Sequence, residues 1–366
     1  MKPTLVVYLD GLSYNDLNKE KTPFLHSLSE KFSKARLKTL LAYKGIEFAF
    51  YTGKYPDETN IWQEFIYSPR TSIFKYFSWM PLPRNILSYG VALAQYLLGK
   101  TALCRFENIP KKLAKNFDVS SKHKPWKYYP FTQMNFVYYG WPFFVKDGKY
   151  SLDPIKRRDS YKVDKFLKHV DDPSYAYFIH LVELDKTTHQ HGRNGAVTLE
   201  CIKRQDKLIE KMFAHFKKVF GDFNFILWSD HGFYDVKKYV KPPIESSDEC
   251  IPFYASTIAN FWFKNEHAKN AALKKLKNVK EGTILTNELK KKYHIPLERK
   301  HGEVNFVLKP GYAFSPDYYQ EKPFISMHGY QPEKADTDAF LVSNLKIEGK
   351  EVEMTYGYKL LKKALN

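Results

Sequence analysis

The apolar residues of this chain fall into two kinds of run. "TLVVYLD" (Thr4 to Asp10), "YAYFIHLV" (Tyr175 to Val182) and "FNFILWSD" (Phe223 to Asp230) are nearly unbroken, as in a strand buried on both faces. "AFLVSN", from Ala339, is a further strand-like run. Helical spacing marks two others. Over Thr22 to Phe32, Pro23 lies in the first turn and Phe24, Leu25, Leu28 and Phe32 share one face. Over Thr198 to Val219 the apolar stripe is Leu199, Ile202, Leu208, Ile209, Met212, Phe213 and Phe216. Strand, helix and strand in that order predict an α/β fold with a central, mostly parallel sheet.

Two segments break this rhythm within what reads as one domain over residues 1–366. Residues 63–149 hold the apolar run Ile86 to Leu98, the basic stretch "KKLAKNF…KHKPWK" and the aromatics of "WKYYPFTQMNFVYYGWPFF", and predict an inserted cap. Residues 264–295 are Lys-rich with helical spacing and predict a peripheral helical subdomain. The apolar run has 13 residues, fewer than the roughly 20 that a membrane-spanning helix needs.

Composition narrows the picture. A chain of 366 residues with 43% hydrophobic and 17% aromatic residues is not a disordered one. The net charge of +18 fits a nucleic acid, an acidic membrane surface or a phosphorylated substrate. Lysines spread over solvated faces account for it equally well. The absence of a helix-turn-helix, zinc-finger or RNA-binding aromatic motif argues against nucleic acid as the main partner. Cys104, Cys201 and Cys250 are scattered and form no C-x-x-C pair, so a reducing, cytoplasmic setting is expected. "MKPTLVVYLDG" reaches Asp10 before the apolar region of a signal peptide can form.

The candidate chemistry sits at strand ends, where α/β sheets gather their sites. Asp10 ends the first run and precedes Gly11; Asp230 and His231, followed by Gly232, end the third. The second leads into "ELDKTTHQHG", with Asp185 and His189 four apart, and His328 lies downstream in "FISMHGYQP". Singly these are ordinary: an Asp after a strand is often a helix N-cap, a His-Gly is often a turn, and "ELDKTTHQHG" reads as a metal-binding strand end or a polar loop. Together, three carboxylates and three imidazoles suit two divalent cations such as zinc or manganese.

In this order "LDG", "TPFLHSL", "TGKYPDETNIW", D-x-x-x-H-x-x-G, "SDHG" and "MHGY" resemble the alkaline phosphatase superfamily, specifically its type I phosphodiesterase and nucleotide pyrophosphatase branch. The resemblance spans both ends of the chain and skips the aromatic segment. It implies a three-layer alkaline-phosphatase-like fold with helices on both faces of the sheet. It also implies Asp185, His189 and His328 on one metal and Asp10, Asp230 and His231 on the other, with His191 as a loop residue. Two cations about 4 Å apart would clamp the attacking and leaving oxygens of a phosphoryl group. The implied activity is metal-dependent hydrolysis of a phosphodiester or pyrophosphate bond, nucleotide- or lipid-linked. The alternative is a metal-binding pseudoenzyme that binds a phosphorylated ligand.

The sequence departs from the family at the nucleophile. A Ser or Thr belongs about nine residues before the Thr-Gly at Thr52, and that position is Tyr43, with no Ser, Thr or Cys from Leu40 to Tyr51. Thr39 is too far upstream unless the loop is rebuilt. Three readings stand open: a Tyr43 phenolate attacks, a metal-activated water attacks with Lys44 pairing a phosphate oxygen, or turnover is lost. Asn60 and Gln63 lie where relatives place a phosphate-contacting Asn. The aromatic, basic cap suits peripheral contact with a membrane, stacking on a nucleotide base, or simply its own core.

Overall fold

The structure, a computed structural model, describes residues 2–97, 108–120, 131–140, 143–147, 149–154, 158–320, 322–334 and 336–365. Cys104, the end of the apolar run from Leu98, and the basic and aromatic residues 122–130 therefore lie outside the described residues.

A nine-stranded sheet forms the middle layer. Its order is Glu351–Glu353, Ser33–Lys38, Ala339–Ser343, Asn224–Trp228, Thr4–Leu9, Ala176–Leu181, Phe136–Tyr139, Phe143–Lys146 and Lys149–Pro154. Thr4–Leu9 runs parallel to both neighbours, with Thr4 opposite Ala176 and Asn224. Every residue of Thr4–Leu9 and Asn224–Trp228 is buried, which is why these runs read as unbroken hydrophobic sequence. Phe136–Tyr139 is also parallel to its inner neighbour.

Outside this middle the sheet is mixed rather than mostly parallel. Ala339–Ser343 is antiparallel to both neighbours, and Phe136–Tyr139, Phe143–Lys146 and Lys149–Pro154 form an antiparallel meander. The last part of the segment expected as a cap thus belongs to the sheet. Its aromatics are sheet core: Phe136 and Tyr138 face one side, Val137 and Tyr139 the other.

Helices cover both faces. On one side Val6, Tyr8, Phe178 and Trp228 meet Phe50 of Lys44–Thr52 and Leu360 and Leu361 of Tyr356–Leu365. On the other, Leu5, Val7, Tyr177 and Ile179 meet Leu25 of Pro23–Lys31, Phe166 of Asp159–Leu167 and Ile209, Met212 and Phe216 of Ala196–Phe220. Asp206 of that long helix accepts the N–H groups of Phe24 (3.0 Å) and Leu25 (2.9 Å). It caps a helix whose own Thr22 makes no side-chain cap bond.

A second, antiparallel sheet joins Cys250–Ala255, Ile258–Phe263, Val304–Leu308 and Gly282–Ile284. The Lys-rich segment is consequently not wholly helical. Between helices Glu266–Lys277 and Asn287–Lys292 lies the edge strand of this sheet, whose pairing with Val304–Leu308 no local pattern could announce. The lobe between Phe65 and Val119 has its own core of Phe65, Phe74, Leu87, Val91 and Phe117, resting on Phe253 and Trp262 of the second sheet. No helix among the described residues is long and apolar enough to cross a membrane.

Candidate metal centre

The parallel register of the middle strands delivers the site. Thr4–Leu9 and Asn224–Trp228 end on the same edge of the sheet, so Asp10, Asp230 and His231 emerge together. Asp10, Asp230 and His231 form one trio of potential ligands, and Asp185, His231 and His328 another, with the liganding atoms of each within 4.8 Å of one another. His189 Nε2 lies 3.4 Å from Asp185 Oδ1. All six expected ligands are therefore in one cluster, and His231 stands between the two halves, 3.7 Å from Asp10 Oδ1 and 3.9 Å from Asp185 Oδ1.

"ELDKTTHQHG" is neither a strand end nor a loop. Glu183–His191 is a helix, and His191, expected in a loop, is its exposed last residue. The spacing of four puts Asp185 and His189 on one helical face. Asp159 holds the start of that helix, accepting the N–H groups of Val182 (3.2 Å) and Glu183 (2.9 Å). Gly11 has φ +83°, and a Cβ there would lie 2.7 Å from Phe233 and 3.1 Å from the Asp185 backbone. Only glycine lets the loop after Asp10 approach the ligand helix so closely.

The electrostatics fit cations. Burial, then Asp230, Asp185 and Glu47, push the Asp10 carboxyl well above the usual carboxylate range, with Lys44 acting against them. Burial also raises Asp230, opposed by His231 and by the bonds from Tyr8 and Gly11. Burial acts upward on Asp185 too, but His189, His328 and His231 outweigh it and hold the carboxyl below its usual range. Burial, His231 and His189 push His328 well below the usual imidazole range. The cluster thus combines a His328 ring biased toward its neutral, lone-pair form with Asp10 and Asp230 carboxyls biased toward holding protons by burial and mutual repulsion. A divalent ion removes that repulsion and displaces those protons.

The orienting hydrogen bonds agree. His189 Nδ1 lies 2.9 Å from the Ser326 carbonyl and His231 Nδ1 lies 3.2 Å from that of Gly232. In both rings this leaves Nε2 facing the carboxylates, the usual arrangement of a metal-bound histidine. The residues present fit two metal ions.

The other expected site residues divide. Lys44 stands close enough to act on Asp10, with Nζ 2.6 Å from Glu47 Oε2. Tyr43 immediately precedes the helix Lys44–Thr52, and its ring lies edge-on to His328 at 5.2 Å. Its hydroxyl, however, donates to the Ala255 carbonyl at 3.0 Å and lies 2.6 Å from Thr257 Oγ1. Burial raises that phenol above its usual range, outweighing the Thr257 bonds that favour ionisation, and so works against a phenolate. The Thr39 hydroxyl is equally engaged, donating to the Asp230 carbonyl at 2.7 Å. Asn60 is held in a turn, donating to Glu298 and accepting from His301 Nε2 at 2.8 Å; its amide is committed there. Gln63 is buried with neither amide atom hydrogen-bonded.

Sequence reasoning missed a chain of polar groups behind Asp10. His180 Nε2 lies 2.9 Å from Asp10 Oδ2; its Nδ1 lies 3.5 Å from the Tyr138 hydroxyl, which reaches Glu47 Oε1 at 3.3 Å. Glu47 in turn carries Lys44. His180 looked like part of an apolar strand. The signal was register: Tyr8 pairs with both His180 and Trp228 across three parallel strands, and the three rings stack at 3.9 and 4.1 Å.

A family model for type I phosphodiesterase / nucleotide pyrophosphatase matches residues 4–331. The chain belongs to that family. Murine ectonucleotide pyrophosphatase/phosphodiesterase 5 superposes with a TM-score of 0.70, at 15% identity, over 100% of this chain and 95% of that one. Its human counterpart gives 0.66 at the same identity and coverage. An inactive form of the murine protein in complex with AMP gives 0.69, again at 15% identity, over 100% of this chain and 95% of that one. No curated protein matches in sequence. The fold is that of the alkaline phosphatase superfamily, and the family is one of phosphoric-ester hydrolases.

Proposed function

We propose that this type I phosphodiesterase-family chain hydrolyses a phosphodiester or pyrophosphate bond at a centre of two divalent cations, zinc first and manganese as the alternative. Asp185, His189 and His328 would hold one ion and Asp10, Asp230 and His231 the other. The observation that carries this reading is the convergence of all six side chains from three strand ends and one helix. Bound cations would supply Lewis acidity to the phosphoryl oxygens and a lowered pKa to a water.

The chain's own residues would do the rest. With the hydroxyls of Tyr43 and Thr39 committed elsewhere, the attacking oxygen comes from water. It adds to phosphorus as the bond to the leaving oxygen breaks, giving a phosphomonoester and an alcohol or a second phosphate. Lys44, steadied by Glu47, pairs a phosphoryl oxygen as a point charge. Gln63, whose buried amide is unpaired, follows Trp62, whose carbonyl accepts the Tyr43 and Gly45 N–H groups, and would offer that amide to the phosphate. The AMP bound by the murine relative favours a nucleotide-linked substrate; a lipid-linked diphosphate presents the same group. A cytoplasmic setting suits Cys201 and Cys250, which are buried and free.

Tyr43→Phe separates the nucleophiles. Turnover by water keeps kcat/KM within about three-fold of wild type, whereas a phenolate mechanism loses about 1,000-fold or more. The function itself is tested on metal-stripped protein given zinc, manganese or magnesium, with a nitrophenyl phosphodiester beside the monoester. Metal-dependent turnover that favours the diester is the expected result. The engaged Tyr43 hydroxyl favours one second reading, a pseudoenzyme that binds a phosphorylated ligand. Metal binding without turnover of diester, nucleotide or lipid pyrophosphate would establish it instead.

A further inference from the structure

The helix Arg84–Leu97 is apolar on the side it buries and apolar again on the side it shows to water. Leu87 and Val91, one turn apart, are 1% and 0% exposed and belong to the core of the Phe65 to Val119 lobe. Ile86, Tyr89 and Leu93, at i, i+3 and i+7 on the outer face, are 52%, 74% and 59% exposed. A surface helix of a soluble domain carries charged or polar residues there, yet Arg84 is the helix's one charged residue.

The patch continues into the preceding segment. Tyr76, Trp79 and Leu82 are 62%, 74% and 41% exposed. Phe77 packs under the helix against Gly90, and Lys111 Nζ ties the Met80 and Leu82 carbonyls to the lobe at 3.3 and 2.7 Å. Isolated exposed apolar residues mean nothing, but a contiguous group marks a contact surface. Elsewhere among the described residues the exposed large apolar side chains are scattered: Val197, Val219, Tyr239, Leu297 and Ile325.

Charge selects the occupant. From Phe65 to Leu97 the sequence contains Arg70, Lys75 and Arg84 and no Asp or Glu, and Lys75 Nζ lies over the ring of Tyr76 at 4.9 Å. A second copy of this chain would bring the same cations to the contact and repel. An anionic lipid surface takes both features: aromatic rings settle at headgroup depth, aliphatic side chains enter the acyl boundary, and cations meet lipid phosphates.

We propose that the outer face formed by Tyr76, Trp79, Leu82, Ile86, Tyr89 and Leu93 docks peripherally on an anionic membrane surface. The lobe that carries this face also packs its inner core against Tyr43, beside the metal ligands, so docking brings the site to the membrane. The proposal goes beyond the hydrolase reading and its test needs no turnover.

Flotation with vesicles of phosphatidylcholine alone, and with about 30% phosphatidylglycerol, measures it. Wild type binds the anionic vesicles at least about ten-fold more tightly, and binding weakens as salt screens the cations. The triple variant Trp79→Ser, Tyr89→Ser, Leu93→Ser loses at least about ten-fold while its melting temperature is unchanged, because all three side chains face water. Trp79→Phe alone keeps binding but loses the quenching of tryptophan fluorescence by brominated lipid. The proposal is overturned if wild type fails to float with anionic vesicles or binds both compositions equally. It is equally overturned if the triple variant binds like wild type, or if wild type ignores vesicles yet forms a dimer in light scattering that the variant abolishes.

Discussion

Asp230→Asn lowers kcat/KM for a phosphodiester by about 1,000-fold or more at saturating metal, while the metal-free protein melts no lower than wild type. Asp230 lies 3.1 Å from His231 Nε2, accepts the Tyr8 hydroxyl at 2.7 Å and the Gly11 N–H at 3.2 Å, and repels Asp10. The amide keeps the shape and can still accept from Gly11, so the fold is retained. It removes a negative charge from a crowded, buried group, which relieves repulsion when no cation is present. The same loss would withdraw a charge that the proposed centre uses to hold one of its two ions, and each such ion would account for several kcal/mol of transition-state stabilisation. Melting curves with and without zinc, beside initial rates, check both halves. A variant with full activity would remove Asp230 from the metal centre.

Asp159→Ala destabilises the protein by about 3–5 kcal/mol, the cost of leaving one member of a buried ion pair alone. Asp159 and Lys162 are both 0% exposed and 3.0 Å apart. The carboxylate also accepts Gln205 Nε2 at 3.0 Å and the two N–H groups at the start of Glu183–His191. Alanine strands the ammonium and frees the helix that carries Asp185 and His189, so metal affinity falls along with stability. In Asp159→Ala, Lys162→Met the buried charge is gone, and more than half of the lost stability returns while the helix start stays uncapped. Denaturant unfolding of the two variants checks this. Equal destabilisation in both would show that the uncapped helix, not the stranded charge, sets the cost.

The residues that were legible in the sequence are those whose role is local. A strand buried on both faces must be continuously apolar, so the strands ending at Asp10 and Asp230 were visible, and with them Asp10, Asp230 and His231, half of the expected ligand set. The long amphipathic helix was visible because its burial repeats with the helical period, although it extends slightly further, over Ala196–Phe220. What stayed hidden depends on partners distant in the chain. Phe136–Tyr139 looked like cap because an aromatic run does not say whether its neighbour is a lobe or a sheet; here both faces are covered. Glu183–His191 looked like a strand end or a loop because its polar residues face a site and its start is capped from Asp159 rather than locally. His180 became a candidate site residue only once the register placed it beside Tyr8. Tyr43 sits where the family's nucleophile belongs, but the direction of its hydroxyl is set by Ala255 and Thr257, at the hairpin turn that joins two strands of the second sheet, more than two hundred residues away.

The central claim is that six side chains hold two cations, and the most direct measurement counts them. Metal-stripped protein is equilibrated with zinc, freed of excess, and analysed for metal per chain, beside His328→Ala. The account predicts two ions per chain in the wild type and one in the variant, since His328 belongs to one half of the centre. A wild-type chain that retains none, or a variant that still retains two, would contradict it.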